Sequence, residues 1–229
     1  MRTYSKFDAG SGGSVPRRWA WSTSHGEFTL ADHYYFSRLQ TFLRDRGLQV
    51  DIVPDFSRLL TYDGIILNYP EIPFRNSEIQ ALYDRVEAGA VLIGLAYYQN
   101  EDGVADVLND LFRPVGLVLE ADVVTDPRHN LGRDPYQVVT RRVLRYGTGV
   151  RRVVLPCPCS IRLVDPEAQP IVVGEPTATA SSGNVPVLAA ERPWGRGRWI
   201  AVGTCVFWDN FSLFRADNRQ WAWNLLTET

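Results

Sequence analysis

Polar segments that directly follow predicted strands hold the side chains best able to bind a ligand or do chemistry. One of them contains His25, which could act as a general base with Glu27 or Asp209 as the carboxylate that orients it. Open α/β sheets bind ligands at the edge where the carboxyl ends of their parallel strands meet. The candidate ligand-binding residues at that edge are Ser24, His25, Glu27, Asn68, Tyr69, Glu71, Tyr97, Tyr98, Gln99, Trp208 and Asp209.

The strand expected at the centre of the sheet ends at a residue without a reactive atom. Residues 90–95 are apolar apart from one glycine, a pattern typical of a parallel strand covered on both faces. In hydrolases with this layout a Ser or Cys follows such a strand, and nearby backbone N–H groups stabilise the oxyanion. Ala96 occupies that position here. The sequence therefore favours a binding module over a catalyst that uses this nucleophile.

The spacing of histidines and cysteines does not predict a metal centre or a cofactor. A zinc site needs three or four ligands, and His25 and His33 need not face the same point. Cys157 and Cys159 supply at most two thiolates, while Cys205 stands alone in the sequence. We expect these cysteines to be small buried residues of a reduced protein, with no bound metal or cofactor.

A local group of arginines lies in the second half of the chain, at positions 141, 142, 145, 151 and 152. Such a cluster could bind a carboxylate or a phosphate through bidentate hydrogen bonds. It could equally be the solvated edge of a strand, where charge discourages unwanted pairing. The strand edge is the simpler of these two interpretations.

Composition limits the class of partner. The chain has 229 residues, 24 Lys and Arg against 26 Asp and Glu, and a formal net charge of -2, so nucleic acid is not an expected partner. No apolar run approaches the roughly 20 residues that span a bilayer, and the first residues lack the apolar core of a secretory signal. We therefore expect no membrane span and a cytoplasmic location, which cysteines without a disulfide pattern also fit.

Periodicity divides the chain into a tail and one α/β unit. Residues 1–17 are rich in Gly and Ser, which predicts a flexible tail, and residues 18–229 are expected to form a single domain. Short β-like runs separated by Pro, Gly, Asn and Asp predict a β-rich insertion over about 117–191. A strand over 198–204 should pair antiparallel with 185–191. Apolar spacing predicts helices over 28–46, 75–88, 104–112 and 218–226.

Several short motifs follow one another along residues 18–228. They are residues 24–25 with 28–30, the strand 62–67, Phe74 with Glu78, residues 87–93, and residues 197–205 with Asp209 and Asn218. In this order they resemble the class I glutamine amidotransferase-like fold, specifically its non-catalytic branch. That branch includes a domain of an intraflagellar-transport subunit, a domain of gliding-motility transporter accessory proteins, and bacterial domains of unknown function.

The resemblance implies an α/β, flavodoxin-like fold with a mostly parallel central sheet and helices on both faces. In the catalytic relatives a Cys follows the strand that here ends at Leu95, and a His with Glu or Asp comes much later. This chain departs at both places, with Ala96 at the first and residues 206–209 where the late His would be expected. The resemblance therefore argues against glutamine hydrolysis.

Three functions fit these observations. The first is a non-enzymatic module that binds a partner protein or a small polar ligand at the carboxyl edge of the sheet. The second is a hydrolase that uses His25 with a carboxylate. The third is a carbohydrate-binding or carbohydrate-processing protein, because the chain has 7 tryptophans and some related bacterial domains are linked to carbohydrate metabolism. An exposed strand of the β-rich insertion could also pair two copies into a homo-oligomer.

Overall fold

A computed structural model describes residues 17–181 and 183–229. Residues 1–16, nearly all of the predicted tail, lie outside the described residues. Within the described ranges, no helix combines the length and the apolarity that a membrane crossing requires.

Many of the strands join one mostly parallel sheet. The strands are β1 (Trp19–Ser22), β2 (Val50–Val53), β3 (Gly64–Asn68), β4 (Val91–Leu95), β5 (Leu117–Leu119), β6 (Asn130–Leu131), β7 (Asp134–Thr140), β8 (Val153–Pro156), β9 (Ile161–Leu163), β10 (Gln169–Val173), β11 (Val187–Trp194) and β12 (Gly197–Val202). Seven of them form the central sheet in the order β10-β11-β12-β4-β3-β1-β2. Neighbours from β12 to β2 run parallel, whereas β11 and β10 are added antiparallel. The predicted α/β class with a mostly parallel central sheet is confirmed.

Apolar side chains on both faces explain the central position of β3 and β4. Every residue of these two strands is buried, as expected for parallel strands that are covered on both sides. The predicted hairpin also forms, because β11 pairs antiparallel with β12, with Trp194 opposite Gly197. Its turn uses Gly195 at φ 56°, a left-handed conformation that glycine adopts without a Cβ clash.

The helices begin and end close to the predicted residues, with one large difference. They are α1 (Ser37–Asp45), α2 (Phe56–Leu59), α3 (Asn76–Glu87), α4 (Val104–Phe112) and α5 (Asn218–Thr227), of which the single turn α2 was not predicted. The helix predicted from residue 28 begins only at Ser37. The Asp32 carboxylate accepts the backbone N–H groups of Tyr34 and Tyr35, both at 2.8 Å. A side chain that accepts the N–H groups two and three residues ahead is typical of a helix N-cap, so helical turns start only after Asp32, and residues 28–31 form no helix.

In the described residues, the segment 117–191 forms short strands and no helix. Strand β5 pairs with β9, while β6, β7 and β8 form a separate three-stranded sheet. Strands β10 and β11 belong to the central sheet. The β-rich segment is therefore in part an extension of the main sheet.

Large aromatic side chains fill the core. Trp19, Trp21, Trp199, Trp208 and Trp221 are fully buried. The Trp21 and Trp208 rings lie 5.4 Å apart, which links β1 to the segment after β12. Rings of this size bury much apolar surface and dominate core energetics. Packing therefore explains most of the tryptophan content.

Candidate functional site

The carboxyl ends of four neighbouring strands bring the predicted segments to one side of the sheet. In the order β12-β4-β3-β1 these strands are adjacent and parallel. Residues 23–27, 69–71, 96–99 and 203–209 follow them directly. We call this side the carboxyl edge.

His25 lies in a buried hydrogen-bonded network at this edge. Its Nδ1 is 2.8 Å from the Ser24 Oγ, and its Nε2 is 3.3 Å from the Oε2 of Glu78. The imidazole stacks on the Phe74 ring with centroids 3.9 Å apart, and only 5% of the residue is exposed. These contacts connect the loop after β1 to the first turn of α3.

The two carboxylates predicted to orient the imidazole bind backbone groups instead. Glu27 accepts the backbone N–H of His25 at 2.6 Å. Asp209 accepts two backbone N–H groups of the turn that follows it, at 2.9 and 2.7 Å. The carboxylate that contacts the imidazole belongs to Glu78, 53 residues along the chain. The expected partner of His25 is therefore corrected from Glu27 or Asp209 to Glu78.

The position of Glu78 in the first turn of α3 is visible in the sequence, but it predicts a helix-capping role and not a contact to His25. The Glu78 side chain accepts the backbone N–H of Arg75 at 2.9 Å and forms an ion pair with the Arg75 guanidinium. This is the glutamate of a capping box at the start of α3. A glutamate at that position predicts a helix cap and gives no information about a histidine in a distant loop.

Acidification should remove the stabilisation that the Glu78 carboxylate provides. The hydrogen bond from Arg75 outweighs burial and, with the contact to His25, lowers the pKa of Glu78 to about 2. Because this value lies below that of the unfolded chain, the stabilisation is complete above about pH 4.5 and is lost as the pH falls towards about 2. Urea unfolding should show the difference in unfolding free energy between wild type and Glu78→Gln shrinking steadily over this range. A difference that does not change with pH would contradict the assignment.

Two of the predicted ligand residues, Asn68 and Trp208, lie in the core. Both are fully buried, and the Trp208 indole N–H donates to the Asn68 Oδ1 at 3.0 Å. A ring without an exposed face cannot stack on a sugar. In this arrangement Trp208 joins the segment after β12 to the end of β3.

The other predicted residues divide into anchored and accessible ones. Tyr69 adopts φ 66°, is buried, and donates its hydroxyl hydrogen to Asp102 at 2.9 Å. Burial and this bond raise the pKa of the Tyr69 phenol. Tyrosine in the left-handed region is strained, and such strain often marks functional sites. Ser24, Tyr97 and Tyr98 are half-buried, whereas Glu71 and Gln99 are exposed.

Ala96 follows β4 directly, and its methyl group is buried in the core. Its backbone N–H donates to the Val202 carbonyl oxygen at 3.0 Å, which continues the pairing of β4 with β12. The next residue, Tyr97, is extended at φ -152° and ψ 170°, and α4 begins only at Val104. A nucleophile elbow is a sharp strained turn from strand into helix. The chain therefore differs from such an elbow in backbone shape as well as in side chain.

A cavity of about 550 Å³ opens at the carboxyl edge. We call it the edge cavity. Its lining combines aromatic rings, carboxylates and other polar groups, among them Tyr35, Tyr97, Asp134, Gln137, Cys157, Asp209, Phe211, Ser212 and Arg215. Of the predicted site residues, Tyr97 and Asp209 line this cavity. The other residues of the lining come from segments that only the packed fold brings together, so no local sequence pattern predicts that they share one cavity.

Burial controls the protonation of groups in the edge cavity. It raises the pKa of Asp209, although hydrogen bonds from the following turn oppose this change. It also raises the pKa of Tyr97, beside the Cys157 thiol, and the pKa of that thiol. The thiolate is the reactive form of cysteine, so a raised pKa makes Cys157 a poor nucleophile near neutral pH.

The other cysteines and histidines do not meet in one place. Cys159 and Cys205 are buried free thiols, and burial raises the pKa of each. His33 is exposed beside α1, away from the buried network of His25. Among residues 17–181 and 183–229, no group of three or more His, Cys, Asp or Glu side chains is arranged to hold a metal ion.

A continuous series of aromatic rings runs across the carboxyl edge. We call it the aromatic row; neighbouring centroids are 4.7 to 6.3 Å apart along Phe211, Tyr34, Tyr35, Phe28, Tyr69, Tyr97 and Tyr98. Three of its members are accessible, with Tyr34 64%, Phe211 53% and Phe28 37% exposed. Contiguous exposed apolar groups of this kind mark interaction surfaces. The row shares Tyr35, Tyr97 and Phe211 with the edge cavity.

Sequence comparison finds relatives over most of the chain. A family model described as "Domain of unknown function (DUF4350)" matches residues 36–226. An "Uncharacterized protein" of Aquifex aeolicus (strain VF5) is 41% identical over 215 residues, which cover 90% of this chain and 91% of that protein. Neither description states an activity.

Solved structures share the fold. The "mmIFT52 N-terminal domain" aligns with a TM-score of 0.76 at 18% identity, covering 91% of this chain and 96% of that chain. The "Cytoplasmic Protein STM1381 from Salmonella typhimurium LT2" aligns with a TM-score of 0.53 at 15% identity, covering 83% and 85%. At these identities the likeness shows the fold alone. It confirms, at that level, the resemblance to an intraflagellar-transport subunit domain, while the amidotransferase-like assignment stays a prediction.

Proposed function

The chain belongs to the family described as Domain of unknown function (DUF4350), and from that premise we propose that it is a non-enzymatic binding module on a degenerate amidotransferase-like scaffold. Its edge cavity takes a cationic group that a protein partner presents. The observation that carries this proposal is the lining of the cavity, where the rings of Tyr35, Tyr97 and Phe211 stand with the carboxylates of Asp134 and Asp209.

The scaffold part of the proposal is supported by strand order and by one side chain. The five parallel strands follow the order β2-β1-β3-β4-β12, which corresponds to the flavodoxin-like order 2-1-3-4-5. The resemblance implies a nucleophile after this strand in the catalytic relatives, whereas Ala96, with a buried methyl group, follows β4 here. A scaffold that keeps the strands and lacks this atom is suited to recognition.

Cation recognition is supported by the chemistry of the cavity lining. Aromatic faces attract ammonium and guanidinium groups, and a carboxylate removed from water pairs strongly with them. The two aspartates outweigh the single guanidinium of Arg215, so the lining has a net negative charge. Asp209 is buried and already held by its own turn, which fixes the carboxylate in place. A lysine or arginine side chain is the natural complement.

The aromatic row favours a protein over a free metabolite as the binding partner. Interface cores are enriched in aromatic residues, which dominate binding energy when a partner covers them. The exposed rings of Tyr34 and Phe28 continue outward from the cavity. A partner segment with a basic side chain between apolar ones would fill the cavity and cover the row together.

The test is calorimetric titration with N-acetyl-arginine amide as the cationic probe and N-acetyl-glutamate as the anionic one. The cationic probe should bind, and Asp209→Asn should weaken its binding about tenfold, because one charge-assisted hydrogen bond is lost. Asparagine keeps the oxygen that accepts the two backbone N–H groups, so the turn should persist.

The matched control for this titration is Asp110→Asn, which neutralises an exposed aspartate on α4 outside the cavity. Its affinity for the cationic probe should equal that of wild type. Equal binding of the two probes, or an unchanged affinity in Asp209→Asn, would overturn the proposal.

A second candidate is a hydrolase, which one specific observation favours. Ser24, His25 and Glu78 form a hydrogen-bonded series in which a half-exposed hydroxyl contacts an imidazole that contacts a carboxylate. Such a series resembles the nucleophile, base and orienting group of serine hydrolases. Turnover of p-nitrophenyl acetate that Ser24→Ala abolishes would support this candidate, and turnover unaffected by that substitution would remove it.

A further inference from the structure

A second cavity, of about 400 Å³, lies where β6, β7 and β8 meet the segment before α5. Its lining includes Arg128, Arg141 and Arg152, with His129 and one carboxylate, that of Glu175. We call it the arginine cleft. Two of its arginines, Arg141 and Arg152, belong to the cluster visible in the sequence, whereas Arg128 comes from a separate loop.

The acidic side chains around the arginine cleft are occupied by backbone groups. Asp126 accepts the backbone N–H groups of Arg128 and His129, both at 2.8 Å. Glu175 accepts the backbone N–H of Arg141 at 2.8 Å. An aspartate at the start of α5, Asp217, accepts the backbone N–H of Arg152 at 3.1 Å. These bonds fix the backbone that carries the arginines.

The guanidinium groups themselves remain available. Among the described residues, those of Arg128, Arg141 and Arg152 form no ion pair with a carboxylate. Arginines elsewhere in the same half of the chain behave differently, since Arg145 pairs with Glu191. Three cations that share one cavity repel one another, and a bound anion would relieve this repulsion.

We infer that the arginine cleft binds a small molecule that carries a phosphate group. Guanidinium forks match phosphate oxygens in bidentate geometry, and several forks can hold one group with three acceptor oxygens. Three arginines against Glu175 leave a positive charge that complements a phosphate dianion. The size of the cleft suits a small molecule. This inference is independent of the proposed function, because the two cavities differ in place and in charge.

The test is calorimetric titration with pyrophosphate. Succinate, a dicarboxylate that is also negatively charged, is the comparison ligand. Pyrophosphate should bind more tightly than succinate, and the double variant Arg141→Gln with Arg152→Gln should lower its affinity at least about tenfold. Glu175→Gln should raise the affinity, because it removes the opposing charge while its oxygen can still accept the Arg141 N–H. Arg113→Gln, an exposed arginine at the end of α4, is the matched control.

Both arginines of the double variant are exposed, so its urea midpoint should match that of the control. If the midpoint of the double variant is lower, the single variants Arg141→Gln and Arg152→Gln should each lower the affinity for pyrophosphate by a smaller factor. An unchanged affinity in the arginine variants, or succinate binding as tightly as pyrophosphate, would overturn the inference. Tighter binding of a single-stranded oligonucleotide that depends on the same arginines would reassign the cleft to nucleic acid and also overturn it.

Discussion

Replacement of His25 by alanine is expected to lower the free energy of unfolding by about 3 kcal/mol. The substitution removes a ring that stacks on Phe74 and a contact to the buried carboxylate of Glu78. It also frees the loop after β1, which carries His25, from Glu78 in the first turn of α3. Equilibrium unfolding in urea, followed by tryptophan fluorescence, measures the loss.

The control for this prediction is His33→Ala, an exposed histidine whose loss should change stability by less than about 0.5 kcal/mol. A double-mutant cycle with Glu78→Gln should give a coupling free energy of about 1 kcal/mol between the two side chains. Zero coupling, or a loss for His25→Ala as small as that of the control, would show that the network contributes little to the fold.

Replacement of Gly203 by alanine is expected to lower the free energy of unfolding by about 4 kcal/mol or more. A Cβ on Gly203 would lie 2.1 Å from the carbonyl oxygen of Cys159. Backbone atoms hold that oxygen near its place, because the Cys159 N–H donates to the Gly203 carbonyl at 2.8 Å. The segment after β8 would have to move away from the end of β12. Since Cys157 in that segment lines the edge cavity, binding of the cationic probe should fall as well.

Gly147→Ala provides the comparison for Gly203→Ala. Its added Cβ would meet its nearest neighbour, the Val143 carbonyl oxygen, at 3.3 Å, and small shifts can relieve such a contact. Urea unfolding should place this variant within about 1 kcal/mol of wild type. Equal stability of the two alanine variants would mean that the segment after β8 packs loosely on β12.

The two cavities give one chain two sites of opposite charge. The edge cavity combines rings with the carboxylates of Asp134 and Asp209, and the arginine cleft combines three guanidinium groups with one carboxylate. Both sites use residues of the β-rich segment, which contributes little to the centre of the main sheet. In both proposals the segment supplies the recognition chemistry, while the parallel strands supply a rigid support. Salt should weaken binding at both sites, because both depend on charge.

Local patterns predicted most elements because the forces that produce them act over a few residues. Apolar spacing placed α3, α4 and α5 within about two residues of their observed bounds. The continuous apolar run ending at Leu95 marked the central strand for the same reason. The prediction failed over residues 28–36, because the Asp32 carboxylate caps the turns that lead into α1 and thereby places residues 28–31 before the helix.

Sequence patterns alone are enough for the α/β class, for the side of the sheet where the loops meet, and for the absence of a reactive side chain atom at Ala96. Contacts between distant segments make Glu78 the partner of His25, bury Trp208 on Asn68, and set which segments line the edge cavity and the arginine cleft. The reason is physical. Hydrogen bonding within a helix or strand depends on neighbours in the chain, whereas a contact between Asn68 and Trp208, 140 residues apart, exists only after strand order and packing have brought them together.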